Sequence, residues 1–266
     1  MSKYLKNCYI LTSTLVGALF TLVPETVFGC TKLFAKCSDE VNIILNRVIA
    51  AIAIFIISLL IQGIVNAARC SVTIKGKNYV IKVCYGDLFK MKKYKKIIPF
   101  DECFTTTIGT GSADINESSL CGQYLKLHHI SDIGTLLSQG GLKAKRKSKY
   151  CGLPAYEPGR MILKEDFLLM AFAKLNKDGL GELTRSEYIN CLEVMWEEIG
   201  RWHGGDSLCV PVLGSGVTNL AESQLSQQEL LDIMIHSYML VANKLKLPQK
   251  LCIVCRRKEG FSLNKI

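Results

Sequence analysis

Acidic residues are the scarce class in this chain: 23 Asp and Glu stand against 33 Lys and Arg, a formal charge of +10 over 266 residues. Such a balance points to an anionic partner, which nucleic acid, a lipid surface or a phosphate-bearing ligand would each satisfy. Metal motifs are missing too. Cys252-Ile253-Val254-Cys255 has CxxC spacing, but no second pair exists to complete a zinc site, and its apolar run reads as a strand that turns the two thiols to opposite faces. His128, His129 and His203 lack companions at metal-ligand spacing. Asn176, Asp178, Gly181 and Glu187 fall at calcium-loop positions, yet Leu180 fills the place where an oxygen ligand belongs. No Gly-Lys-Ser/Thr follows Gly214-Ser215-Gly216, which excludes a P-loop, and no third glycine completes a G-x-G-x-x-G fingerprint. Twelve cysteines scattered through apolar segments of so long a chain favour free thiols in a reducing compartment.

What is present begins with two apolar runs. Val48 to Ala68 holds no charge and is bracketed by Arg47 and Arg69. As a helix it would cover ~30 Å, the thickness of a bilayer's hydrocarbon core. Cys8 to Val23 is also uncharged, ends at Pro24-Glu25, and is extendable through Phe28. The alternative for this first run is a cleaved signal peptide with Lys3 and Lys6 as its basic region. Against that, no Ala-x-Ala-like site follows and the second run starts close behind. A transmembrane hairpin over residues 1–70 is therefore expected, with spans about 8–28 and 46–68. Lys3, Lys6, Arg69, Lys75 and Lys77 flank it and place both ends in the cytoplasm, against Lys32 and Lys36 in the intervening loop. Ser13/Gly17 and Gly63/Ala67 are small pairs at the spacing that lets membrane helices approach closely.

From Ser71 to Ile266 strands alternate with helices, which implies a three-layer α/β domain with a largely parallel or mixed sheet. Two short strands surround the turn Lys75-Gly76-Lys77-Asn78, and "KKIIPF", "SLCVPVL" and "LCIVCRR" read as further strands. "MILKEDFLLMAFAKL" reads as a strand pair or one long bent strand. Thr184 with Glu187 and Ser226 with Glu229 have capping-box spacing, each opening a helix. Ser131 to Gly152, rich in Gly, Ser and Lys, reads as an inserted mobile surface loop.

Gly214-Ser215-Gly216 stands where a strand gives way to a helix, a place where bare backbone can approach an anion such as a pyrophosphate. A tight turn without a ligand is the plain alternative. Gly86-Asp87 ends another strand, where the carboxylate suits an adenine amino group or a ribose hydroxyl, or simply caps a helix that begins at Leu88. Lys90 to Lys96 and Lys143 to Lys149 are dense basic runs. They fit a solvated loop or attraction to anionic headgroups; no recognised motif speaks for nucleic acid.

Gly86-Asp87-Leu88 after an opening strand pair resembles the adenine-recognition element of macro domains, and "PVLGSGV" their second phosphate loop. With "IPFDECFTT", "SSLCGQY" and "LEVMWEEI" in the same order, the chain is more closely similar to the macro domain of membrane-anchored Thoeris antiphage effectors, from Ser71 to Lys258. Cys121 departs from that pattern, standing where the family has histidine. The resemblance implies a macro-type fold and a bacterial inner-membrane sensor whose macro domain faces the cytoplasm. Its ligand would be a signal made by a TIR enzyme, an ADP-ribose derivative with histidine–ADP-ribose as the candidate, and no cofactor is implied. Binding would drive self-association and membrane disruption, with lipid and a second copy of the chain as partners and nucleic acid as none. By position, Asp87 and Leu88 would hold the adenine, and Gly214, Ser215, Gly216 and Val217 the pyrophosphate and distal ribose. Asp101, Glu102 and Thr106, with Gly109, Thr110 and Gly111 nearby, would face the distal end. The alternative is an ADP-ribosyl hydrolase, with Asp101 or Glu102 as base. Its loop, however, lacks the paired asparagines of hydrolytic macro domains.

Overall fold

The computed structural model describes residues 3–30, 33, 37–202, 204–216, 219–220, 225–242 and 250–266. The chain divides into two compact units, Met1–Arg69 and Cys70–Ile266.

The first unit is helical. α1 (Lys3–Leu22) ends at Pro24, whose missing N–H and fixed φ do not continue a helix, and a single turn, α2 (Glu25–Gly29), follows it. The first helix therefore does not run on to Phe28; starting at Lys3, its 20 residues already cover ~30 Å. Ser38 caps α3 (Asp39–Ala67) by accepting from the Val41 N–H. α1 packs against α3, with the Tyr4 hydroxyl donating to the Leu59 carbonyl at 2.8 Å. At the other end, Asn46 donates to the Phe28 carbonyl at 2.7 Å. Arg47 pairs with Glu25 at 3.1 Å while lying over the rings of Phe20 and Phe28. Both long helices have the length and apolar character to cross a membrane.

The second unit is built on one mixed sheet. In chain order its elements are β1 (Ser71–Lys75), β2 (Val80–Tyr85), β3 (Lys95–Asp101), α4 (Leu120–Leu127), α5 (Ile133–Gln139), β4 (Arg146–Lys147), β5 (Pro154–Ala155), β6 (Met161–Lys164), β7 (Phe167–Leu175), β8 (Gly181–Leu183), α6 (Arg185–Trp202), β9 (Leu208–Pro211), β10 (Asn219–Leu220), α7 (Gln227–Val241) and β11 (Leu251–Cys255). The strand order is β1-β2-β11-β9-β3-β7-β8-β10, with β6 paired to β7; β4 and β5 form a separate ribbon. β2, β11, β9, β3 and β7 run parallel, whereas β1 is antiparallel to β2 and both β6 and β8 are antiparallel to β7; β10 runs parallel to β8.

Strand alternation divides the core into two layers. Ile81, Val83, Ile97 and Ile253 face Tyr188, Leu192, Trp196, Met234 and Tyr238 of α6 and α7. Cys84, Ile98, Cys252 and Val254 face the other way, toward Phe104, Tyr124 and Leu137 on the side of α4 and α5. Fully burying one such Ile or Leu contributes about 1.5–3 kcal/mol. Helix, sheet and helix thus form the three-layer α/β architecture that the alternation implies.

Both capping boxes form: Glu187 N–H donates to Thr184 and Thr184 N–H to Glu187, and Ser226 and Glu229 exchange the same bonds. "MILKEDFLLMAFAKL" is a hairpin, β6 and β7, turning through Glu165 at φ 55°. Ser131 to Gly152 differs from the mobile loop expected of its composition. Asp132 caps α5, β4 pairs with β5, and Arg146 is bound to the buried carboxylate of Glu102.

Candidate functional site at the strand tips

Because β2, β11 and β9 are parallel and in register at Tyr85↔Cys255 and Val254↔Pro211, their carboxyl ends lie along one edge of the sheet. The Gly86 N–H donates to the Cys255 carbonyl and the Val212 N–H to that of Val254, so β11 ties both tips. Two strand spacings separate them, roughly 10 Å. Beyond β9 the sheet opens: β3 pairs with it in register only at Lys95 and Lys96, and Pro99 has no N–H to extend the ladder. Diverging parallel ends form the crevice in which α/β sheets take their ligands.

The loop after β9 is held from three sides. The Tyr188 hydroxyl donates to the Leu213 carbonyl at 3.2 Å, Ser215 Oγ donates to the Val212 carbonyl at 2.7 Å, and Lys258 Nζ donates to the Ser215 carbonyl. Gly214 sits at φ 76°, a left-handed conformation that favours glycine, and the space around Gly216 is open. Among the described residues no acceptor meets the backbone N–H of Gly214, Ser215 or Gly216. Such groups suit an anion. Val217 lies outside the described residues.

Asp87 accepts from the Phe89 N–H at 3.0 Å and caps a single 3₁₀ turn, Leu88–Lys90, that lies against β9. The capping role is thus real, and the half-exposed carboxylate retains an oxygen for a donor from outside, 4.0 Å from Lys90. Leu88 is buried in the core beneath it, so only its backbone is available to a ligand.

The loop after β3 serves the fold more than its sequence suggests. Asp101 is buried and accepts from the N–H groups of Cys103 (2.7 Å) and Thr105; burial pushes its carboxyl up, against the pull of those bonds. Glu102, also buried, accepts from Ser148 (2.7 Å), the Leu175 N–H (3.1 Å) and Arg146, which pins the β4–β5 ribbon to β3 and β7. No oxygen of Glu102 is left to face a ligand. Gly109 and Gly111 spend their N–H groups on the Ile115 carbonyl and the Asp114 carboxylate. A Cβ on Gly109 would come within 2.3 Å of that carboxylate, so these glycines admit Asp114 rather than an anion. Thr106 is half-buried and Thr110 exposed in the same loop. Cys121 is buried, its thiol pushed up by burial and then by the nearby charge of Asp101.

Two residues beyond those expected stand at the tips. Lys258 reaches the Ser215 carbonyl, and the Arg257 guanidinium lies 4.5 Å over the Tyr85 ring, which Phe261 meets edge-on. Their one sequence signal was position: "CRRK" leaves β11 at the same edge as Gly86-Asp87.

Elsewhere, Cys252 and Cys255 face opposite layers as the strand reading requires, and no metal-holding cluster occurs among the described residues. Asn176 accepts from the N–H groups of Asp178 and Leu180, closing the β7–β8 turn in the calcium-like segment. His128 stacks on Tyr124, while His203 lies outside the described residues. A cavity of about 530 Å³, lined by the end of α6, the loop after α5 and the loop before β6, shares no residue with the strand tips. The parallel strand ends thus bring Gly86-Asp87 and the amides of Gly214, Ser215 and Gly216, which meet no acceptor among the described residues, to one edge of the sheet.

Residues 81–256, from β2 through β11, match the family described as Thoeris protein ThsA, Macro domain. The chain belongs to that family. It is 26% identical over 250 residues to Thoeris protein ThsA of Bacillus amyloliquefaciens (strain Y2), covering 90% of this chain and 82% of the relative. Among solved structures, a mutant of the Oceanobacillus iheyensis macrodomain aligns with a TM-score of 0.47 at 11% identity, covering 74% of this chain and 95% of that one. The same macrodomain with ADP aligns with a TM-score of 0.42 at 12% identity, over 71% and 89%. The ThsA macro-domain match contains both strand tips, Gly86-Asp87 and Gly214-Ser215-Gly216.

Proposed function

We propose that this ThsA-type chain is a membrane-anchored antiphage effector whose macro domain binds an ADP-ribose derivative made by a TIR enzyme, with histidine–ADP-ribose as the candidate. One observation carries the reading: the amides of Gly214, Ser215 and Gly216, which meet no acceptor among the described residues, border a crevice that shares its edge with Asp87. The amides take the diphosphate, Asp87 takes an adenine donor, and Lys258 adds a cation that can leave the Ser215 carbonyl for the ligand. Thr106 and Thr110 border the distal end. Asp101 and Glu102, the carboxylates a hydrolase would use, are held in internal hydrogen bonds, which supports a receptor over an enzyme. The length and apolar character of the two N-terminal helices support an anchor in the bacterial inner membrane, with the macro domain in the cytoplasm. Occupancy then drives assembly because the associated state binds the ligand more tightly than the free one, and the membrane is disrupted.

Calorimetry of the whole detergent-solubilised chain with histidine–ADP-ribose should show saturable binding, and the particle mass should rise with occupancy. Saturable binding at constant mass removes the assembly step; no binding of any ADP-ribose derivative removes the receptor. Asp87→Ala should weaken binding about tenfold, the loss of one charge-assisted hydrogen bond. Lys75→Ala, exposed at the end of the β1–β2 hairpin opposite the tip, should leave it unchanged, and equal effects would argue against a site at the tips.

A further inference from the structure

The cavity at the end of α6, closed by the loop after α5 and the loop before β6, shares no residue with the strand tips. Its wall is organised by one buried carboxylate. Glu198, 3% exposed, accepts from Arg160 at 2.7 Å, Arg201 at 3.0 Å and the Trp202 indole N–H at 3.2 Å. Glu157 holds the same Arg160 through Nε at 3.1 Å and Lys145 at 2.7 Å. Two guanidiniums and an indole are therefore fixed in place, with Arg160 Nη2 and most of the Arg201 fork left over as donors. Lys143 adds an exposed ammonium, so four cations meet two carboxylates around the hollow. A bare inorganic anion would leave most of the space empty, whereas about 300–1,000 Å³ is the range of organic ligands. Trp202 and Tyr156 supply aromatic surface for a flat ring.

We propose that this cavity is a second ligand site, independent of the strand tips, and that it takes an organic anion of nucleotide size with a flat ring. The ring lies against Trp202 and Tyr156, and the anionic group meets Arg160, Arg201 and Lys143.

Trp202 makes the test local, because the only other tryptophan, Trp196, is buried with its indole N–H on Ser237. The probe is adenosine monophosphate, added to the whole chain in detergent while tryptophan emission is followed. A saturable change is expected, absent in Trp202→Phe and shifted about tenfold or more to weaker binding in the Lys143→Glu, Arg201→Gln double variant. Both changed residues are exposed, and Glu198 keeps Arg160 and Trp202 as partners, so the variant should fold. In Asp87→Ala the response should persist with the same affinity, which separates this site from the strand tips. Unchanged emission at millimolar probe, a response surviving in Trp202→Phe, or equal affinity in the double variant would overturn the proposal. Citrate binding as tightly as the nucleotide would overturn the ring requirement, and inorganic phosphate doing so would overturn the size argument.

Discussion

The two units put polar and apolar residues in opposite places. In the helical unit Ile52, Ile56, Leu60 and Ile64 form an outward ridge along α3, each more than half exposed, while Asn42, Asn46 and Ser58 are buried. In the α/β unit the interior is Ile97, Leu168, Val210 and Ile253, and Lys and Arg cover the outside. One chain thus carries two folding rules. A water-facing unit hides hydrocarbon because its transfer from water is favourable. Helices with the length and apolar character to enter lipid would gain nothing from that there, and would instead hide the hydrogen-bonding groups that lipid cannot satisfy.

The largest test of the contrast is Trp196→Ala. It empties a fully enclosed position between α6 and α7 and should cost about 3–5 kcal/mol, read as a drop in the thermal midpoint of the α/β unit. A loss under 1 kcal/mol would mean that this core is looser than its packing suggests. Next comes Leu60→Arg, on the outward ridge. In water a charge there would be harmless, whereas near the centre of a span it should oppose insertion by about 2.5–3.5 kcal/mol. A membrane-insertion assay that finds the variant unaffected would break the comparison.

The smallest effect is Asp101→Asn. Burial raises the folded pKa of Asp101 above its unfolded value, so the folded state holds the extra proton in the window between them. Stability should therefore fall as pH rises from the ordinary aspartate value through the raised one. Chemical denaturation across that window should find the slope reduced in the variant; a steeper slope would show that the N–H bonds of Cys103 and Thr105 outweigh burial.

Features that depend on neighbours along the chain were legible. The capping boxes at Thr184 and Ser226 need only a partner three residues on, and the opposite facing of Cys252 and Cys255 follows from strand period two. Features set by distant partners were not. Ser131 to Gly152 reads as a mobile surface loop because it is rich in Gly, Ser and Lys, yet its Arg146 meets Glu102 across 44 residues. Gly109 and Gly111 carry the composition of an anion loop, but the anion they accommodate is Asp114 of the same chain. Lys258 was overlooked because its contact with Ser215 spans 43 residues. At the candidate site the two glycine-bearing tips could be read from local pattern, whereas the crevice between them and β3 depends on where pairing with β9 stops.

The position of β11 has a consequence for synthesis. This strand lies between β2 and β9, yet it leaves the ribosome after both. The apolar helices emerge first and can enter the bilayer while the tips behind them still have nothing to fix their spacing. In a nascent chain the two tips therefore take up their fixed separation only once translation has reached β11.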